Sequence, residues 1–346
     1  MMLFRGHWPW AFGALILWLG LGATPLPGAL PAGVNQGVFL GWTNAFSLRD
    51  DHGKVSAVVV PEIGGRVVSY GRGGRNVLLD NPDSQGKTLA FFPAGFWVGG
   101  YQCDIGPGLL GLPERRALWL GPHEARTPRD QTVETASPLD TVTGLQLLKS
   151  FTLDSDSGAL GLVQRMVNAS SNPTKYTLHD RTLCPASGFV LFQLPQVSRY
   201  RAGWSLLRAT ERGPIFDGDQ PGSPSVRVMG DLLVAHATGT PGKLGSDTDA
   251  GWVAYVRGRL LFVKYFPVWR GAAYAGAGHT VEFSWNDQMA ALEVFSPLTA
   301  LAPGQAFDFP ELWQLIELKE EVTTFEDARA AAKKVPPSPF TPAGSR

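Results

Sequence analysis

Glycine and proline limit the fold of this 346-residue chain more than any other feature, because the sequence contains 41 glycines and 27 prolines. Glycine weakens helices through its backbone freedom, and proline removes a backbone donor and clashes with the preceding turn. We therefore expect many short strands joined by tight turns rather than long helices. Since 44% of the residues are hydrophobic, the chain can also bury a full core.

The charge balance argues against one class of partner. Lysine and arginine number 30, and aspartate and glutamate also number 30, so the formal net charge is zero. Phosphate recognition requires a basic surface that releases counterions on binding. We therefore expect no nucleic-acid partner.

The N-terminal residues have the pattern of a secretory signal. An apolar stretch from Trp8 to Ala23 follows Arg5, and Pro- and Gly-rich sequence comes next. The stretch is shorter than the roughly 20 residues that span a bilayer, so a permanent anchor is the alternative rather than the expectation. The pattern predicts a signal peptide over residues 1–23, with cleavage as late as Ala32, and export to the periplasm or the extracellular space without a stable membrane anchor.

Short apolar or alternating runs bounded by turn residues recur along the rest of the chain, and each predicts a strand. Clear examples are Val55–Val60, Arg66–Tyr70, Leu145–Leu153, Leu160–Asn168, Leu260–Phe266, Val281–Asn286 and Met289–Phe295. One segment, Thr324–Lys334, has the cap, first-turn acids and terminal lysines of a helix. We predict an all-β fold: one large antiparallel β-sandwich over residues 33–322, then a short C-terminal helix and a mobile Pro-rich tail over 323–346. Two stacked domains are the alternative.

The segment from Val281 to Phe295 predicts a hairpin that brings two glutamates together. A two-residue loop places Glu282 opposite Glu293, with Ser284 and Asn286 on the same face and the apolar side chains on the other. Opposed like charges call for a shared proton, a cationic partner or a ligand. Two alternatives remain open: a solvated outer face, and a three-residue loop that would separate the glutamates.

Three consecutive ionisable residues, His179, Asp180 and Arg181, lie in a segment that otherwise predicts a strand. A histidine beside an aspartate can be held in one tautomer and tuned as a proton donor near neutral pH. Strand alternation, however, sends His179 and Asp180 to opposite faces. The alternative is a surface pair between Asp180 and Arg181 next to a packed histidine.

The chain has two cysteines, Cys103 and Cys184. Export would permit a disulfide between them, and two unpaired buried thiols are the equal alternative. The sequence has no Cys-x-x-Cys or His-x-x-x-His spacing, so we expect no metal site.

Several motifs, in order, resemble the galactose-mutarotase-like (aldose 1-epimerase-like) superfamily, and the chain is most similar to exported bacterial members without an assigned function. The resemblance begins with PEIGGRV at residues 61–67 and GRNVL at 74–78. Further matches are ALWLGP at 117–122, DRT at 180–182, LE at 292–293 after the Asn286-Asp287 turn, and LAPGQ at 301–305 before ELW at 311–313.

The resemblance implies a large β-sandwich, of the supersandwich type, whose concave face binds a carbohydrate without a cofactor. In the sugar mutarotases of this superfamily a glutamate takes the proton of the anomeric hydroxyl and a histidine protonates the ring oxygen. The corresponding residues here are Glu293 as base and His179 as acid. The sequence departs from the mutarotase pattern after the histidine, where Asp180, Arg181 and Thr182 replace aromatic residues.

Other polar residues are candidates for the same sugar-binding face. The candidates are Arg66, Asp104, His123, Glu124, Asp180, Arg181, Glu282 and Asn286. For Arg66, a structural role in binding turn carbonyls is the alternative. A tryptophan among Trp97, Trp204, Trp269 and Trp285 is a candidate stacking platform or, alternatively, part of the core.

We therefore predict an exported carbohydrate-binding protein. One alternative is a cofactor-free aldose 1-epimerase-type enzyme that uses Glu293 and His179. The other is a non-catalytic scaffold for cell-envelope proteins.

Overall fold

Three antiparallel sheets contain the strands of the protein, in a computed structural model that describes residues 29–93, 96–106, 115–211 and 213–340. The predicted signal peptide lies outside these ranges. The N-terminal sheet follows chain order: β1 (Val34–Phe39), β2 (Trp42–Arg49), β3 (Val55–Val60), β4 (Arg66–Arg72) and β5 (Arg75–Asn76). Residues from Pro31 onward form one compact unit.

The site sheet carries the candidate functional residues. Its strands, from one edge, are β14 (Ile215–Asp217), β13 (Ser205–Arg208), β17 (Gly242–Ser246), β19 (Val281–Trp285), β20 (Met289–Phe295), β11 (Thr174–Pro185) and β21 (Thr299–Leu301). Strand β6 (Tyr101–Gly106) also pairs with β11, along residues 177–182.

The back sheet packs against the site sheet. Its strand order is β15 (Val226–Met229), β16 (Leu232–His236), β12 (Phe189–Gln193), β18 (Trp252–Tyr265), β22 (Ala306–Val322), β10 (Leu160–Asn168), β9 (Leu145–Leu153), β8 (Thr132–Ala136) and β7 (Glu124–Arg126). Two helices complete the described elements, α1 (Arg116–Leu120) and α2 (Phe325–Ala332), together with the 3-10 turns Pro61–Ile63, Pro82–Ser84 and Leu89–Phe91.

The main core lies between the back sheet and the site sheet. Alternate residues of each strand point inward, so β9 buries every second side chain from Leu145 to Leu153. At the centre, the indole of Trp313 makes edge contacts with Tyr101 and Phe262, at ring-centroid distances of 5.5 and 5.2 Å. The predicted all-β sandwich is confirmed.

Most predicted elements match the structure closely. Four predicted strands have the observed bounds, and the helix begins after Thr324, whose side chain caps it in a reciprocal capping box with Asp327. The predicted strand Leu260–Phe266 is the second half of β18, which continues through an irregularity between Gly258 and Leu260. Helix α1 was not predicted, since five residues carry little helical periodicity.

Helix α2 covers the outer face of the back sheet. Ala328 and Ala331 are buried there in a second apolar cluster, and Val335 and Phe340 of the Pro-rich tail pack against the same cluster. The tyrosine hydroxyl of Tyr265 donates to the carbonyl of Pro336 at 3.1 Å. The part of the predicted mobile tail up to residue 340 is therefore packed, and residues 341–346 lie outside the described ranges.

Cys103 and Cys184 are both buried free thiols. Burial raises the pKa of each thiol, so neither has the thiolate character of a reactive cysteine. Of the two alternatives left open by the sequence, the structure has the unpaired one.

Candidate functional site

The hairpin of β19 and β20 has the register predicted from its sequence. Glu282 lies directly opposite Glu293, and Ser284 lies opposite Ala291. Phe283 and Leu292 point into the main core, so the glutamates occupy the outer face of the site sheet. The turn is fixed by Asn286, whose side-chain oxygen accepts from the backbone N–H groups of Gln288 and Met289.

Glu293 is the centre of the site and is 1% exposed. Oε2 accepts hydrogen bonds from His179 Nε2 at 2.8 Å and from the Arg181 guanidinium at 3.3 Å. Lys243 Nζ lies 3.2 Å from both carboxylate oxygens, and the Ser284 hydroxyl donates to Oε1 at 3.1 Å. Four side chains from three other strands therefore converge on one buried carboxylate.

These contacts keep Glu293 ionised. Burial alone would raise the pKa of Glu293, but the charges of Arg181 and Lys243 and the bond from His179 outweigh burial and hold this pKa well below its ordinary value. Burial lowers the pKa of His179 despite the raising effect of Glu293. His179 is therefore neutral at pH 7, and its Nε2–H donates to the carboxylate.

The ring of His179 is also held from one side. It stacks on Phe295 with ring centroids 4.3 Å apart, and the side chain is 5% exposed. With the Nε2 proton directed at Glu293, the free lone pair of the imidazole is on Nδ1. Phe295 and Glu293 thus fix the orientation and the tautomer of the His179 ring.

Lys243 resolves the repulsion between the two facing glutamates. Its ammonium lies 2.6 Å from Glu282 Oε2 as well as 3.2 Å from Glu293. Of the three solutions open to an opposed pair of carboxylates, the structure therefore has the cationic partner. We call His179, Arg181, Lys243, Glu282 and Glu293 the site-face cluster.

A chain of hydrogen bonds extends the site-face cluster towards the sheet edge. His279 Nδ1 donates to Glu282 Oε1 at 2.9 Å, and the hydroxyl of Ser205 donates to His279 Nε2 at 2.8 Å. The order Ser, His, Glu is that of a hydrolase triad. Ser205 and His279 are buried, however, and the rings of Tyr200 and Phe216 pack on the imidazole. The chain therefore positions Glu282 rather than presenting a nucleophile.

Arg66 approaches the site from the N-terminal sheet. Its guanidinium donates to the carbonyls of Ile63 and Gly99 and, at 3.2 Å, to the side-chain oxygen of Gln102. Gln102 on β6 is the cross-strand neighbour of Arg181. Arg66 is fully buried and binds turn carbonyls, the structural alternative considered for it, and it reaches the site through Gln102.

Asp104 lies on the outer face beside His179, its cross-strand partner on β11. The carboxyl is buried, and neither oxygen has a hydrogen-bond partner among the residues that the structure describes. Burial raises its pKa to about 6, against the lowering effects of the Ile105 backbone N–H and the charges of Arg115, Arg181 and Lys149. A buried carboxyl without a partner is costly, and a ligand hydroxyl would satisfy it.

Asp180 lies on the opposite face of β11, inside the core. It is 2.6 Å from Lys264 Nζ, which also contacts Thr182 at 2.8 Å and Glu311 at 3.4 Å. Gln164 donates to Glu311 at 2.6 Å. The structure therefore does not bring Asp180 to the other predicted site residues, and we call these five residues the core-face cluster.

The remaining predicted residues lie apart from Glu293. His123 is buried near Gly65 with Nε2 3.1 Å from the Leu118 carbonyl, and Glu124 is exposed on the edge strand β7. Among the tryptophans, Trp204 and Trp285 belong to the core, Trp269 packs on Phe307 and Phe309, and Trp97 is exposed. None of these residues takes part in the site-face cluster.

An open groove of about 530 Å³ lies elsewhere on the molecule, lined by Arg75, Tyr255, Arg257, Arg259 and Glu321 among others. It contains no predicted site residue and no cluster of buried polar groups. We therefore base the functional assignment on the site-face cluster, where buried charges are concentrated beside the unpartnered carboxyl of Asp104.

Two negative findings apply to the described residues. No group of three or more His, Cys, Asp or Glu side chains in these ranges is arranged to hold a metal ion. No helix within them combines the length and the apolar character needed to cross a membrane.

The sequence-based prediction missed Lys243, His279, Ser205 and Arg115. Lys243 comes from a short strand with glycines on both sides, so its segment has no strong pattern. Lys264 and Glu311, in the core-face cluster, carried a usable signal: each occupies an inward-facing position between apolar side chains of the main core.

Comparison with known proteins supports the fold. No protein-family model and no curated protein matches the chain. A galactose mutarotase-like protein from Lactobacillus casei has a similar structure, with a TM-score of 0.52 and 12% identity over 78% of this chain and 100% of that one. A galactose mutarotase related enzyme from Lactobacillus acidophilus gives a TM-score of 0.50 at 9% identity, over 80% of this chain and 99% of that one.

A third similar structure is a TPR-domain containing protein from Parabacteroides distasonis, with a TM-score of 0.54 and 14% identity. The match covers 91% of this chain and 55% of that chain. At these identities the similarity describes the fold, and the chain has the galactose mutarotase-like fold.

Proposed function

We propose that this protein is an exported carbohydrate-binding protein, and that a sugar binds on the outer face of the site sheet around His179 and Glu293. The observation that carries the proposal is the site-face cluster beside Asp104. Within the described ranges, Arg181 uses one of its donors, towards Glu293, and is 27% exposed, while both oxygens of Asp104 lack a partner. Sugar hydroxyls both donate and accept, so one sugar can satisfy both groups.

The fold supports a carbohydrate-related role. Two of the solved structures that share the fold are described as galactose mutarotase-like or mutarotase related. The two residues that the sequence resemblance assigns to the sugar site, His179 and Glu293, are hydrogen-bonded to each other in the site-face cluster.

Binding is better supported than turnover because Glu293 is a weak base. Both of its oxygens accept hydrogen bonds, from four side chains in all, and its pKa is held well below the ordinary value. A general base needs a free lone pair within reach of the substrate and a pKa near the working pH.

A second function, an aldose 1-epimerase-type activity, is favoured by the direct contact between His179 and Glu293 at 2.8 Å. In that reaction Glu293 would take the anomeric hydroxyl proton, and His179, after gaining a second proton on Nδ1 from solvent, would give that proton to the ring oxygen. A sugar hydroxyl would first have to replace Arg181 or Ser284 as a donor to the carboxylate. Mutarotation needs no cofactor, and both groups required are present in one cluster.

Saturation-transfer NMR of the mature protein with a panel of hexoses, uronic acids and oligosaccharides tests both functions. With the unmodified protein we expect saturation transfer to the signals of at least one sugar. The transfer should be lost in Glu293→Gln and His179→Gln, because each change removes part of the converging hydrogen-bond set. Exchange between α and β anomer signals in the same tubes, abolished in Glu293→Gln, would establish the epimerase instead.

Glu124→Gln is the matched control, since Glu124 is an exposed glutamate on the edge strand β7. This variant should give the same saturation transfer to the sugar as the unmodified protein. If no sugar in the panel gives saturation transfer, the binding proposal fails, and a scaffold role becomes the better explanation.

Export is tested separately. Expression of the full chain in a bacterial host, followed by fractionation and N-terminal sequencing, should give a periplasmic or secreted product that begins between residues 24 and 33. A cytoplasmic product that keeps Met1 would contradict the export part of the proposal.

A further inference from the structure

Three buried cations near the site have no carboxylate partner. Arg66, Arg115 and Lys149 are each at most 2% exposed. Arg66 binds two carbonyls and an amide oxygen, and Lys149 donates to the carbonyl of Gly64 at 2.7 Å. All three guanidinium nitrogens of Arg115 lack a hydrogen-bond partner in the described part of the chain. In the part of the chain that the structure describes, none of the three forms an ion pair.

These cations share one neighbourhood of positive potential. Burial, with the charge of Arg66 acting in the same direction, lowers the pKa of Lys149 to about 8. Burial lowers the pKa of Arg66 to about 9, with Arg181 acting in the same direction. For His123, burial and the charges of Lys149 and Arg66 lower the pKa to about 3. An uncompensated buried charge is expensive, so this neighbourhood favours an added anion.

Asp104 is the carboxyl on which several of these cations act without a hydrogen bond. The charges of Arg115, Arg181 and Lys149 all lower its pKa, yet neither oxygen has a hydrogen-bond partner among the described residues. The glutamates of the site-face cluster are already shared by Lys243 and Arg181. Five cations, Arg66, Arg115, Lys149, Arg181 and Lys243, therefore face three carboxyls, Asp104, Glu282 and Glu293.

Arg181 connects this positive region to solvent. Its side chain is 27% exposed, and one N–H to Glu293 is its single hydrogen bond among the described residues. The planar guanidinium has five N–H donors in a geometry that suits a carboxylate or a phosphate. The accessible groups at the opening are thus cationic, whereas the carboxylates lie behind them.

We propose that the sugar bound at this site carries an anionic group, a carboxylate or a phosphate, which Arg181 and Arg115 bind while Asp104 accepts from a neighbouring hydroxyl. This inference rests on the proposed sugar-binding function and narrows its ligand class. A bare anion would leave Asp104 unsatisfied, and a neutral sugar would leave the charge of Arg115 without a counter-ion. An acidic sugar supplies a partner for both.

Isothermal titration calorimetry with the mature protein tests the inference. The ligands are glucose, galactose, glucuronate, galacturonate, glucose 6-phosphate and inorganic phosphate. We expect at least one charged sugar to bind about tenfold or more tightly than its neutral counterpart, with an affinity that falls as salt is raised. Comparing the uronates with glucose 6-phosphate identifies which anionic group the site takes.

Two variants assign the residues. Arg181→Gln and Arg115→Gln should each weaken binding of the charged sugar by about tenfold or more, since each removes a charge-assisted hydrogen bond, and should weaken binding of the neutral sugar by a smaller factor. Arg257→Gln, in the distant groove, is the matched control. Because Arg181 is partly exposed, its variant should fold, which keeps the test decisive if Arg115→Gln does not.

The outcomes separate the two proposals. Equal affinities for neutral and charged sugars would overturn this inference and leave the sugar-binding function standing. Binding of inorganic phosphate as tightly as of any sugar acid would also overturn it, since the sugar would then add nothing. Absence of binding by every sugar would overturn the proposed function itself.

Discussion

Strand β11 separates two ionic clusters that begin at adjacent residues. His179 and Arg181 belong to the site-face cluster, and Asp180 between them belongs to the core-face cluster. Lys243, in the first cluster, is 26% exposed, whereas Lys264, in the second, is 0% exposed. Each cluster pairs a lysine with two carboxyls, but water reaches the lysine of the site-face cluster and does not reach the lysine of the core-face cluster.

The difference shows what each cluster contributes. The site-face cluster keeps spare donors and an accessible edge, so it can exchange a protein contact for a ligand contact. The core-face cluster sits between the two sheets among Trp313 and Cys184, where a broken contact cannot be replaced by water. We expect the first to determine binding and the second to determine stability.

The largest effect should come from Lys264→Met. This change leaves Asp180 and Glu311 buried without their cation, and loss of one partner of a buried ion pair costs about 3–5 kcal/mol. Urea unfolding at pH 7 measures the loss. Lys243→Met is the matched control and should cost about 1 kcal/mol, because water reaches that site. Equal losses for the two lysines would contradict the distinction between the clusters.

The next effect concerns Asp104 and pH. Its folded-state pKa of about 6 lies above the ordinary 3.8, so the unfolded chain ionises this group first as pH rises. As the pH rises from about 4 to 6, the free energy of unfolding therefore falls by about 3 kcal/mol at most. Asp104→Asn should lack this component when unfolding is followed at several pH values. A constant difference between the two proteins from pH 4 to 7 would show that the carboxyl has an ordinary pKa.

A smaller effect is expected for Glu293→Gln. The amide keeps the shape and some acceptors, but it removes the charge that compensates Arg181 and Lys243. Because both cations are partly exposed, solvent offsets the loss, and the free energy of unfolding should fall by about 1–2 kcal/mol. Sugar binding should fall more strongly. A stability loss as large as that of Lys264→Met would place Glu293 with the structural cluster instead.

The smallest effect should be that of Asp180→Asn, although Asp180 is fully buried. Burial and the Glu311 carboxyl raise the pKa of Asp180 well above its ordinary value, against the lowering effect of Lys264, and this favours the protonated, neutral form. An amide reproduces this neutral group and its donor, and the cost should stay below about 1 kcal/mol. A loss above 3 kcal/mol would mean that Asp180 is ionised and forms a true ion pair.

Local patterns predicted the strands and one half of the site. The alternation in Val281–Phe295 was enough to place Glu282 opposite Glu293, because a two-residue turn fixes the register. The position of His179 relative to Glu293 depends on the pairing of β11 with β20, which are more than a hundred residues apart. No local pattern specifies such a pairing.

Lysines in apolar strands were the overlooked signal. Lys149 and Lys264 stand at the inward parity of their strands, where a charged residue requires a buried partner. The sequence could have indicated that each needs a partner but not which one. Lys264 is paired with two carboxyls, whereas Lys149 donates a hydrogen bond to a carbonyl.

The wide separation of the donors to Glu293 has a kinetic consequence. They lie 9, 50, 112 and 114 residues from it along the chain. A partly folded chain that lacks the β11–β20 pairing has two of the four donors at most, and closing such long loops is slow. Recovery of sugar binding during refolding should therefore lag behind the formation of hairpins, and ligand affinity becomes a late marker of the native topology.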